Sequence, residues 1–359
     1  MHKKPSGEWI VAYTVIDDPT KFHQTALYTG NGGTQSITND GNSDLQPDLI
    51  WIKTRSAVTY HSLSDSASGT DIQLGVNDAN AADAFTIAIT AFNSDGFSLG
   101  SNGNTNTGSR TFAAWQWAGG TTSGIATNGS TTITPSAYSF SQDAGISILK
   151  YTGNQTSGAK LAHGLGVKPD MIICKSHGAG GWGVYHQYLG ATYGLLLNTT
   201  AAKDDDASAW NDVEPDTVNI TLGSSINTNK TGTCSGYAFA EKQGFSKFGS
   251  YTGNGNADGT FVYTGFKPAF TLFKKTNATS EWFLYDGKRL GFNVTELVFE
   301  ANSTSAEDSN SGTYIDYLSN GFKIRGTGGN TNASGSTYIY MAFASNPFVT
   351  STGIPTTAR

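Results

Sequence analysis

The residues best suited to chemistry in this 359-residue chain are its carboxylates. A glycosidase needs two carboxylates that face each other across a cleft, and the densest acidic run is Asp204, Asp205 and Asp206 in the string AAKDDDASAW. Like charges that are adjacent in sequence repel one another and stay hydrated, so we expect this run to be a solvated loop. The sequence therefore predicts that the protein is not an enzyme, with a carbohydrate-active enzyme as the third functional hypothesis.

Metal ligands are the next possibility. The six histidines form no HxxxH or HExxH pair, which is the spacing that would bring two imidazoles to one metal ion. Oxygen-rich loops at 77–83 and around Asp204 could coordinate calcium, but neither has the spacing of an EF-hand loop, and ordinary Asx-turns are the favoured explanation of both. We predict no cofactor and no metal site, with calcium as the alternative that stays open.

Aromatic rings offer a binding chemistry instead, because exposed rings beside Asn, Asp and Gly form platforms on which sugars stack. The candidate ligand-binding residues are Trp210, Trp182, Trp282 and Asp286. Packing in the core is the favoured alternative for Trp182 and Trp282, since a ring repeated at one position of two units is more often selected for packing. Trp210 has Asp and Asn neighbours in sequence, so we expect it to be the exposed candidate.

A repeated string indicates which elements must position these side chains. The string YTGN begins at Tyr28, Tyr151 and Tyr251. Proline suits the first position of a strand, and β-branched and aromatic residues suit a buried one, so the apolar runs that follow each copy are predicted to be strands. These runs are QPDLIWIK, KPDMIICK and KPAFTLFK, and in each a proline precedes a terminal lysine by six residues (Pro47 and Lys53, Pro169 and Lys175, Pro268 and Lys274).

Two further patterns keep step with the first. The strings HSLSD, WGVYH and WFLYD place a large ring first and an acid or imidazole fifth. Each copy then ends in an Asn-rich turn, which tolerates positive φ, and an aromatic strand: NTNTGSRTFAAWQW, NTNKTGTCSGYAFA and NTNASGSTYIYMAFA. Matching phases over about 90 residues indicate three copies of one unit, and biased composition in a chain rich in Gly, Thr and Asn is the alternative.

No apolar pattern with the helical period extends beyond two turns, whereas short β-forming runs recur throughout. We therefore predict an all-β protein of three tandem β-sandwich, jelly-roll-like repeat domains with an N-terminal arm. The predicted segments are an arm at 1–26, repeats at 27–118, 145–243 and 244–348, a Gly/Ser/Thr linker at 119–144, and a C-terminal tail at 349–359. The linker should set the first repeat apart, and the arm should pack on the first repeat or on a partner subunit.

Composition restricts the partners. A net charge of −6, with 14% charged residues, lacks the basic surface that nucleic acids require. No apolar run reaches the roughly 18 residues of a membrane helix, and the first residues lack the features of a signal peptide. The sequence predicts no nucleic-acid partner, no membrane insertion and no export. Two free thiols are the favoured state of Cys174 and Cys234, with a disulfide between them left open.

Long strings in the chain also resemble a known family. The strings FNSDGFSLGSNGNTNTG, HGLGVKPDMIICKS, AEKQGFSKFGSYTGNGNADGTFVYTGFKPAF and YIYMAFASNPFVTSTGIPTTAR are similar to a repeat family of tailed phages, especially marine phages. The similarity extends from about Phe22 onward. It implies a virion structural or tail-fibre-like protein, and it supplies no catalytic residue.

Together these features predict a non-enzymatic virion protein, assembled in the host cytoplasm and displayed on the particle surface as a fibre, spike or capsid appendage. Its expected roles are attachment to host-surface glycans and, as the alternative, decoration of the capsid to stabilise the head. We expect other virion proteins to be bound through the N-terminal arm, and we expect a homo-oligomer, with a trimer the form that symmetry favours.

Overall fold

The computed structural model describes residues 2–3, 9–10, 13–70, 72–84, 87–309 and 312–356. Strands hold 42% of the chain and helices 4%, so the fold is all-β, as the sequence predicts. The helical segments are a 3₁₀ turn (Pro19–Lys21) and three four-residue helices, α1 (Gly103–Asn106), α2 (Ala207–Trp210) and α3 (Gly329–Asn332). Within the described ranges, no helix has the length and apolar character needed to cross a membrane.

A short hairpin of β1 (His2–Lys3) and β2 (Trp9–Ile10) precedes three larger groups of strands, which we call the first, second and third units. The first unit contains β3 (His23–Thr29), β4 (Gln35–Ile37), β5 (Leu49–Thr54), β6 (Ser62–Asp65), β7 (Ile72–Gly75), β8 (Asp83–Ala84), β9 (Ile89–Asn93), β10 (Gly96–Leu99) and β11 (Thr111–Trp117). The second contains β12 (Ala137–Ser141), β13 (Ile146–Gly153), β14 (Ala159–Ala162), β15 (Met171–Ser176), β16 (Trp182–His186), β17 (Tyr193–Leu196), β18 (Asp204–Asp205), β19 (Asn219–Leu222) and β20 (Gly232–Phe239). The third contains β21 (Ser246–Thr252), β22 (Phe261–Tyr263), β23 (Phe266–Lys275), β24 (Trp282–Asp286), β25 (Leu297–Glu300), β26 (Asp308–Ser309), β27 (Ile315–Leu318), β28 (Gly321–Ile324) and β29 (Thr337–Pro347).

Each unit has one large antiparallel sheet, its main sheet, and one small sheet. The main sheets have the orders β3-β11-β5-β6-β7-β8, β12-β13-β20-β15-β16-β17-β18 and β21-β29-β23-β24-β25-β26. In all three, the strand that carries the tyrosine and threonine of YTGN pairs with the closing aromatic strand, which in turn pairs with the strand that contains the lysine. The small sheets are β4-β10-β9, β14-β19 and β22-β28-β27. The three main sheets therefore share one strand order, to which the second unit adds β12 at its edge. The small sheet of the second unit has two strands, whereas the other two small sheets have three.

The main sheets are buried on both faces, which explains their continuous apolar runs. Side chains of a strand point alternately to opposite faces. In β15, Met171 and Ile173 belong to one hydrophobic cluster, whereas Ile172 and Cys174 belong to another. The second cluster fills the space between the main and small sheets, so the unit is a two-layer sandwich. A strand covered on both faces has no polar side, and the sequence accordingly shows no alternation there.

The inner faces of the three main sheets pack against one another in a single core. Its residues come from all three units and include Trp51, Trp115, Trp182, Trp282 and Phe343. The rings meet mostly edge to face, with centroids 5–6.5 Å apart, as aromatic pairs prefer; one example is Trp115 against Phe270 at 6.1 Å. The structure thus differs from the expectation that the linker sets the first repeat apart, because all three units share the apolar faces that would otherwise be exposed.

The two repeated strings of each unit bind each other, in an arrangement that we call the YTGN–NTN clasp. The tyrosine hydroxyl of YTGN donates to the threonine carbonyl of NTN, at 2.7 Å between Tyr28 and Thr105. The asparagine N–H of YTGN donates to the last asparagine side chain of NTN, at 3.0 Å between Asn31 and Asn106. The same pairs recur as Tyr151 with Thr228, Tyr251 with Thr331, Asn154 with Asn229, and Asn254 with Asn332.

The clasp also explains the glycine of YTGN. A Cβ atom on Gly30 would lie 2.3 Å from the carbonyl oxygen of Thr107, closer than any side chain allows. The NTN segments match the predicted turn in the second unit only. They form the one-turn helices α1 and α3 in the first and third units and a hydrogen-bonded turn in the second.

The segments outside the predicted repeats also have defined places. Residues 137–141, at the end of the predicted linker, form the edge strand β12, and Ile133 in the same segment is buried. Much of that segment therefore packs on the second unit instead of spacing the first unit apart. Of the predicted arm, residues 1, 4–8 and 11–12 lie outside the described residues. Tyr13 donates to the Gly265 carbonyl of the third unit at 2.7 Å. Farther along the arm, Asp18 accepts from Ser43 of the first unit at 2.7 Å, and residues 23–26 begin β3. The described part of the arm therefore packs on the first unit, as expected, and also on the third.

Candidate functional site

The four residues that the sequence nominates for ligand binding are all in the interior. Trp182, Trp282, Trp210 and Asp286 are each 1% exposed or less. Trp210 differs most from its expectation, because α2 turns its ring inward against Tyr185, with ring centroids 5.9 Å apart. None of these rings can offer a face to a sugar in this structure. The core-packing alternative describes the positions of Trp182 and Trp282.

Trp182 and Trp282 join units to one another. The indole Nε1 of Trp182 donates to the Gly75 carbonyl in the first unit at 2.8 Å, and that of Trp282 donates to the Leu196 carbonyl in the second unit at 3.0 Å. The two acceptors occupy equivalent places, because Gly75 is the last residue of β7 and Leu196 is the last residue of β17. In its own unit, β7 pairs with β6 and β17 pairs with β16, the strands that carry the ring-first strings. In the first unit, His61 stands at the ring position and faces the backbone of Glu300 in the third unit without reaching hydrogen-bond geometry.

The three lysines that end the apolar runs form a second set of equivalent contacts. Each ammonium group donates to one carbonyl of its own unit and to one carbonyl of another. The pairs are Lys53 with Thr59 and Thr304, Lys175 with Gly180 and Asn80, and Lys274 with Ser280 and Thr200. Burial lowers the pKa of Lys53 to about 7 and those of Lys175 and Lys274 to about 8, because desolvation disfavours the charged form.

These contacts form a closed cycle. Lys53 of the first unit contacts the third, Lys274 of the third contacts the second, and Lys175 of the second contacts the first. Backbone hydrogen bonds follow the same cycle, for example from the Thr59 N–H to the Thr304 carbonyl at 3.0 Å. Three equivalent contacts in a cycle define a pseudo-threefold arrangement of the units within one chain.

The fifth residue of each ring-first strand makes a third cycle of contacts. Asp286 in the third unit accepts from Trp115 in the first, and Asp65 in the first accepts from Tyr237 in the second at 2.7 Å. At the same position of the second unit, His186 contacts the Tyr340 carbonyl of the third at 3.2 Å. Asp65 is fully buried and its pKa is raised by desolvation, an effect that hydrogen bonds from Tyr237, Ser68 and Ser235 oppose. These polar residues join the units to one another.

The remaining nominated groups are dispersed. Asp204 and Asp205 form the exposed strand β18, and Asp206 caps α2 through the Ser208 N–H at 3.0 Å. Asp204 and Asp206 border a small cavity of about 150 Å³ on one side of the second unit. Among the residues that the structure describes, no three His, Cys, Asp or Glu side chains are grouped as a metal site would require. Cys174 and Cys234 are buried free thiols on adjacent strands.

A larger cavity, which we call the junction cavity, lies between the first and third units. Its volume is about 310 Å³. The residues on its border that bear on binding are His23, Thr25, Asp40, Lys267, Lys288 and Asn346. Lys288 and Asp40 form an ion pair across the junction, with Nζ 2.6 Å from Oδ2. Both partners are well exposed, so the pair is worth about 0–1 kcal/mol, and it marks the rim of the cavity.

Two polar atoms of residues on this border have no hydrogen-bond partner among the described residues, and both atoms are closed to solvent. They are Nε2 of His23 and Oγ1 of Thr25. Nδ1 of His23 is 3.0 Å from the Gln116 carbonyl, which makes Nδ1 the protonated nitrogen and leaves Nε2 as an acceptor. Desolvation lowers the pKa of His23 to about 3, so the ring is neutral at physiological pH.

The sequence could not have singled out this cavity. Its border residues are scattered from position 20 to position 346. Four of them belong to the repeated strings, namely Lys267, Pro268 and Ala269 at the start of an apolar run and Ala344 at the end of a closing strand. A weak signal was present, since His23 stands where the second unit has Ile146 and the third has Ser246, each opposite the end of the closing strand.

The fold and its contacts define an all-β protein of three sandwich units that surround one shared core. The chain belongs to the family described as "Domain of unknown function (DUF7483)", whose model matches residues 18–347. That match spans all three units as one domain, in agreement with their common core. No curated protein and no solved structure matches the chain.

Proposed function

We propose that the protein is a non-catalytic structural protein of a phage particle, displayed on the particle surface, where it aids attachment to host-surface glycans. The phage assignment rests on the resemblance of the repeated strings to virion and tail-fibre-like proteins. One structural observation supports the non-catalytic role. The buried lysines and the buried Asp65 and Asp286 are used in contacts that join the three units, which is the use expected in a scaffold.

The composition of the chain supports display on a surface. With 14% charged residues and a net charge of −6, its coat is formed mainly of Thr, Ser, Asn and Gly, and such a coat resists nonspecific charge contacts. A location on the virion, assembly in the host cytoplasm and contacts with other virion proteins through the N-terminal arm belong to the same proposal.

A capsid decoration protein is the second candidate, and the cycle of contacts favours it. A chain with pseudo-threefold symmetry fits a threefold or local threefold point of a shell, with one unit above each neighbouring subunit. The trimer that the sequence favours would place three such chains around one axis. Attachment and decoration therefore differ in where the protein lies on the particle and in its copy number.

Cryo-electron microscopy of intact particles tests the proposal. Density for a three-lobed body that projects from the tail or from isolated capsid points supports attachment. Density that lies flat over capsomer junctions at high copy number supports decoration. Purified particles in which neither the density nor mass spectrometry reveals this chain would overturn both.

A further inference from the structure

We propose that the free edge of β3, beside the junction cavity, binds an extended segment of a different polypeptide as an added strand. The second unit already shows this arrangement within the chain, because β12 occupies the equivalent place beside β13. Addition of a strand to an exposed sheet edge is a common mode of peptide recognition, in which main-chain hydrogen bonds supply the affinity.

The strand β3 has a partner strand on one side only. It pairs with β11, through bonds such as the one from the Ala118 N–H to the Phe22 carbonyl at 3.0 Å. In an antiparallel pair, alternate residues bond to the partner and the residues between them point their backbone groups away, so Thr25 and Leu27 point theirs to the opposite edge. Within the described ranges, no hydrogen bond reaches the N–H or C=O of either residue, and both residues are half-buried.

The three units differ in what covers this edge. By their register with the closing strands, Ile148 and Phe248 are the equivalents of Thr25. Ile148 pairs with Ser139 of β12. The Phe248 carbonyl accepts from the side chain of Gln187 in the second unit, at 2.8 Å. Thr25 has neither kind of partner in the described structure, and it borders the junction cavity.

The third unit lacks the side chain that could close the edge of β3. Gly287 is the equivalent of Gln187, since each follows a ring-first strand. Each also donates its N–H at 2.8 Å to the residue after the proline of its unit, Gln187 to Asp170 and Gly287 to Ala269. Gly287 has no amide side chain to offer, and it borders the junction cavity. The cavity is therefore the space that β12 or the Gln187 side chain fills at the other two edges.

The alternation of β12 indicates the chemistry of the segment. Residues directly opposite each other in an antiparallel pair share one face of the sheet. Ser139 is fully buried at its seam, where a Cβ on Gly119 would lie 2.6 Å from the Ser139 backbone. The residue opposite Thr25 would face the third unit in the same way, because His23 on that face packs against Phe270. The segment therefore needs small side chains at alternate positions, as β12 has at Ala137, Ser139 and Ser141.

The position of the edge indicates the source of the segment. The edge is recessed between two units beside a cavity of about 310 Å³, which has room for one extended segment but not for the edge of a second folded sheet. A second copy therefore cannot offer its own β3. The described ends of the chain are also held in place, Tyr13 by Gly265 at 2.7 Å and the Ser351 N–H by Asp17 at 2.6 Å. A different polypeptide is the source that remains.

Hydrogen exchange measured by NMR on the full chain tests the site. The probe is a capped synthetic peptide of sequence SAYSFSQD, which is the sequence of residues 136–143. The edge of β13 is closed to this peptide, because β12 of the same chain covers it. At about ten times its dissociation constant, the peptide should slow exchange of the Thr25 and Leu27 amides about tenfold.

Gly287→Gln should abolish this slowing, because its side chain can reach the Thr25 carbonyl as Gln187 reaches that of Phe248. The position accepts a side chain, since a Cβ on Gly287 would meet no atom closer than 3.6 Å and its φ is not positive. Gly287→Ala is the matched control, because it adds the Cβ without the amide, and it should respond to the peptide as the unchanged protein does.

The proposal is overturned if the peptide leaves exchange of the Thr25 and Leu27 amides unaltered in the unchanged protein, or if Gly287→Gln responds as Gly287→Ala does. It is also overturned if these amides become protected without peptide as the chain is concentrated, because a second copy would then cover the edge.

Discussion

The indole of Trp115 donates a hydrogen bond to the carboxylate of Asp286 over 3.0 Å, although 171 positions separate the two residues in the chain. The same carboxylate accepts from the Arg289 guanidinium at 2.6 Å and from two backbone N–H groups. One buried aspartate therefore links the closing strand of the first unit to the third unit and neutralises an arginine within the shared core. This use of Asp286 explains why it is unavailable to a ligand.

Asp286→Ala should lower the free energy of unfolding by about 3–5 kcal/mol, because it leaves the buried Arg289 without its closest counter-charge. Asp40→Ala is the matched control, since it removes an acid from an exposed ion pair with Lys288 and should cost about 0–1 kcal/mol. Urea unfolding followed by tryptophan fluorescence gives both values. Equal losses in the two variants would contradict a structural role for the buried carboxylate.

Lys175→Met should lower the free energy of unfolding by about 1–3 kcal/mol, because the Asn80 and Gly180 carbonyls lose their shared donor. Lys53→Met and Lys274→Met should have similar effects, since their ammonium groups make equivalent contacts. The control is Lys21→Met, at an exposed position, with an expected change within about 0.5 kcal/mol. Thermal and urea unfolding measure the stability of all four variants. If only one of the three substitutions of a buried lysine lowered the stability, the pseudo-threefold description would be wrong.

Asn106→Ala should destabilise the protein by about 2–4 kcal/mol. The Asn106 side chain donates to the Gly33 and Gly100 carbonyls at 2.7 and 2.8 Å and accepts from the Asn31 N–H, and each lost bond leaves a partner unsatisfied. Asn104→Ala, two residues earlier in the same NTN string, is the control, because Asn104 is only half-buried. Melting temperatures measure the difference between the two variants. If the YTGN–NTN clasp did not stabilise the protein, Asn106→Ala and Asn104→Ala would melt at the same temperature.

His186 should make the protein less stable in acid. Desolvation lowers its pKa in the folded protein to about 4, whereas an unfolded histidine has a pKa of about 6.5. As the pH falls from about 6.5 to about 4, the unfolded chain binds a proton that the folded protein does not, so the free energy of unfolding decreases by about 3 kcal/mol. Above pH 6.5 this contribution is complete and constant.

Glutamine at this position retains a donor for the Tyr340 carbonyl but does not titrate. The free energy of unfolding of His186→Gln, measured by urea titration at a series of pH values, should therefore fall less steeply between pH 6.5 and 4 than that of the unchanged protein. If the free energies of unfolding of the two proteins decreased in parallel between pH 6.5 and 4, His186 would not be the cause of the loss of stability in acid.

Local chemistry was sufficient to predict the strands from the sequence. The proline of QPDLIWIK stands before β5, and the run after it forms that strand. The aromatic closing strands, and the Asn-rich turn of the second unit, also occur where the repeated strings place them. These features depend on residues close together in the chain, whose backbone preferences act locally.

The shared core could not be predicted from these local backbone preferences. A continuous apolar strand has the same sequence whether a second sheet of its own unit or a neighbouring unit covers its other face. The lysine contacts were equally hidden, since Lys53 meets the Thr304 carbonyl 251 positions away. The prediction that Trp210 is exposed was wrong for a local reason. Its polar neighbours in sequence face solvent, but the single turn of α2 directs the ring into the interior.

The closed cycle of units also dictates when the protein can fold during its synthesis. Trp115 and Trp117 leave the ribosome long before Phe270 and Phe343, the rings that cover them. Until the last strand emerges, the nascent chain carries apolar surface that its finished form hides, which is the condition under which chaperones bind and aggregation begins. A ribosome stalled within the third unit would therefore hold a chaperone-dependent chain, whatever the stability of the completed molecule.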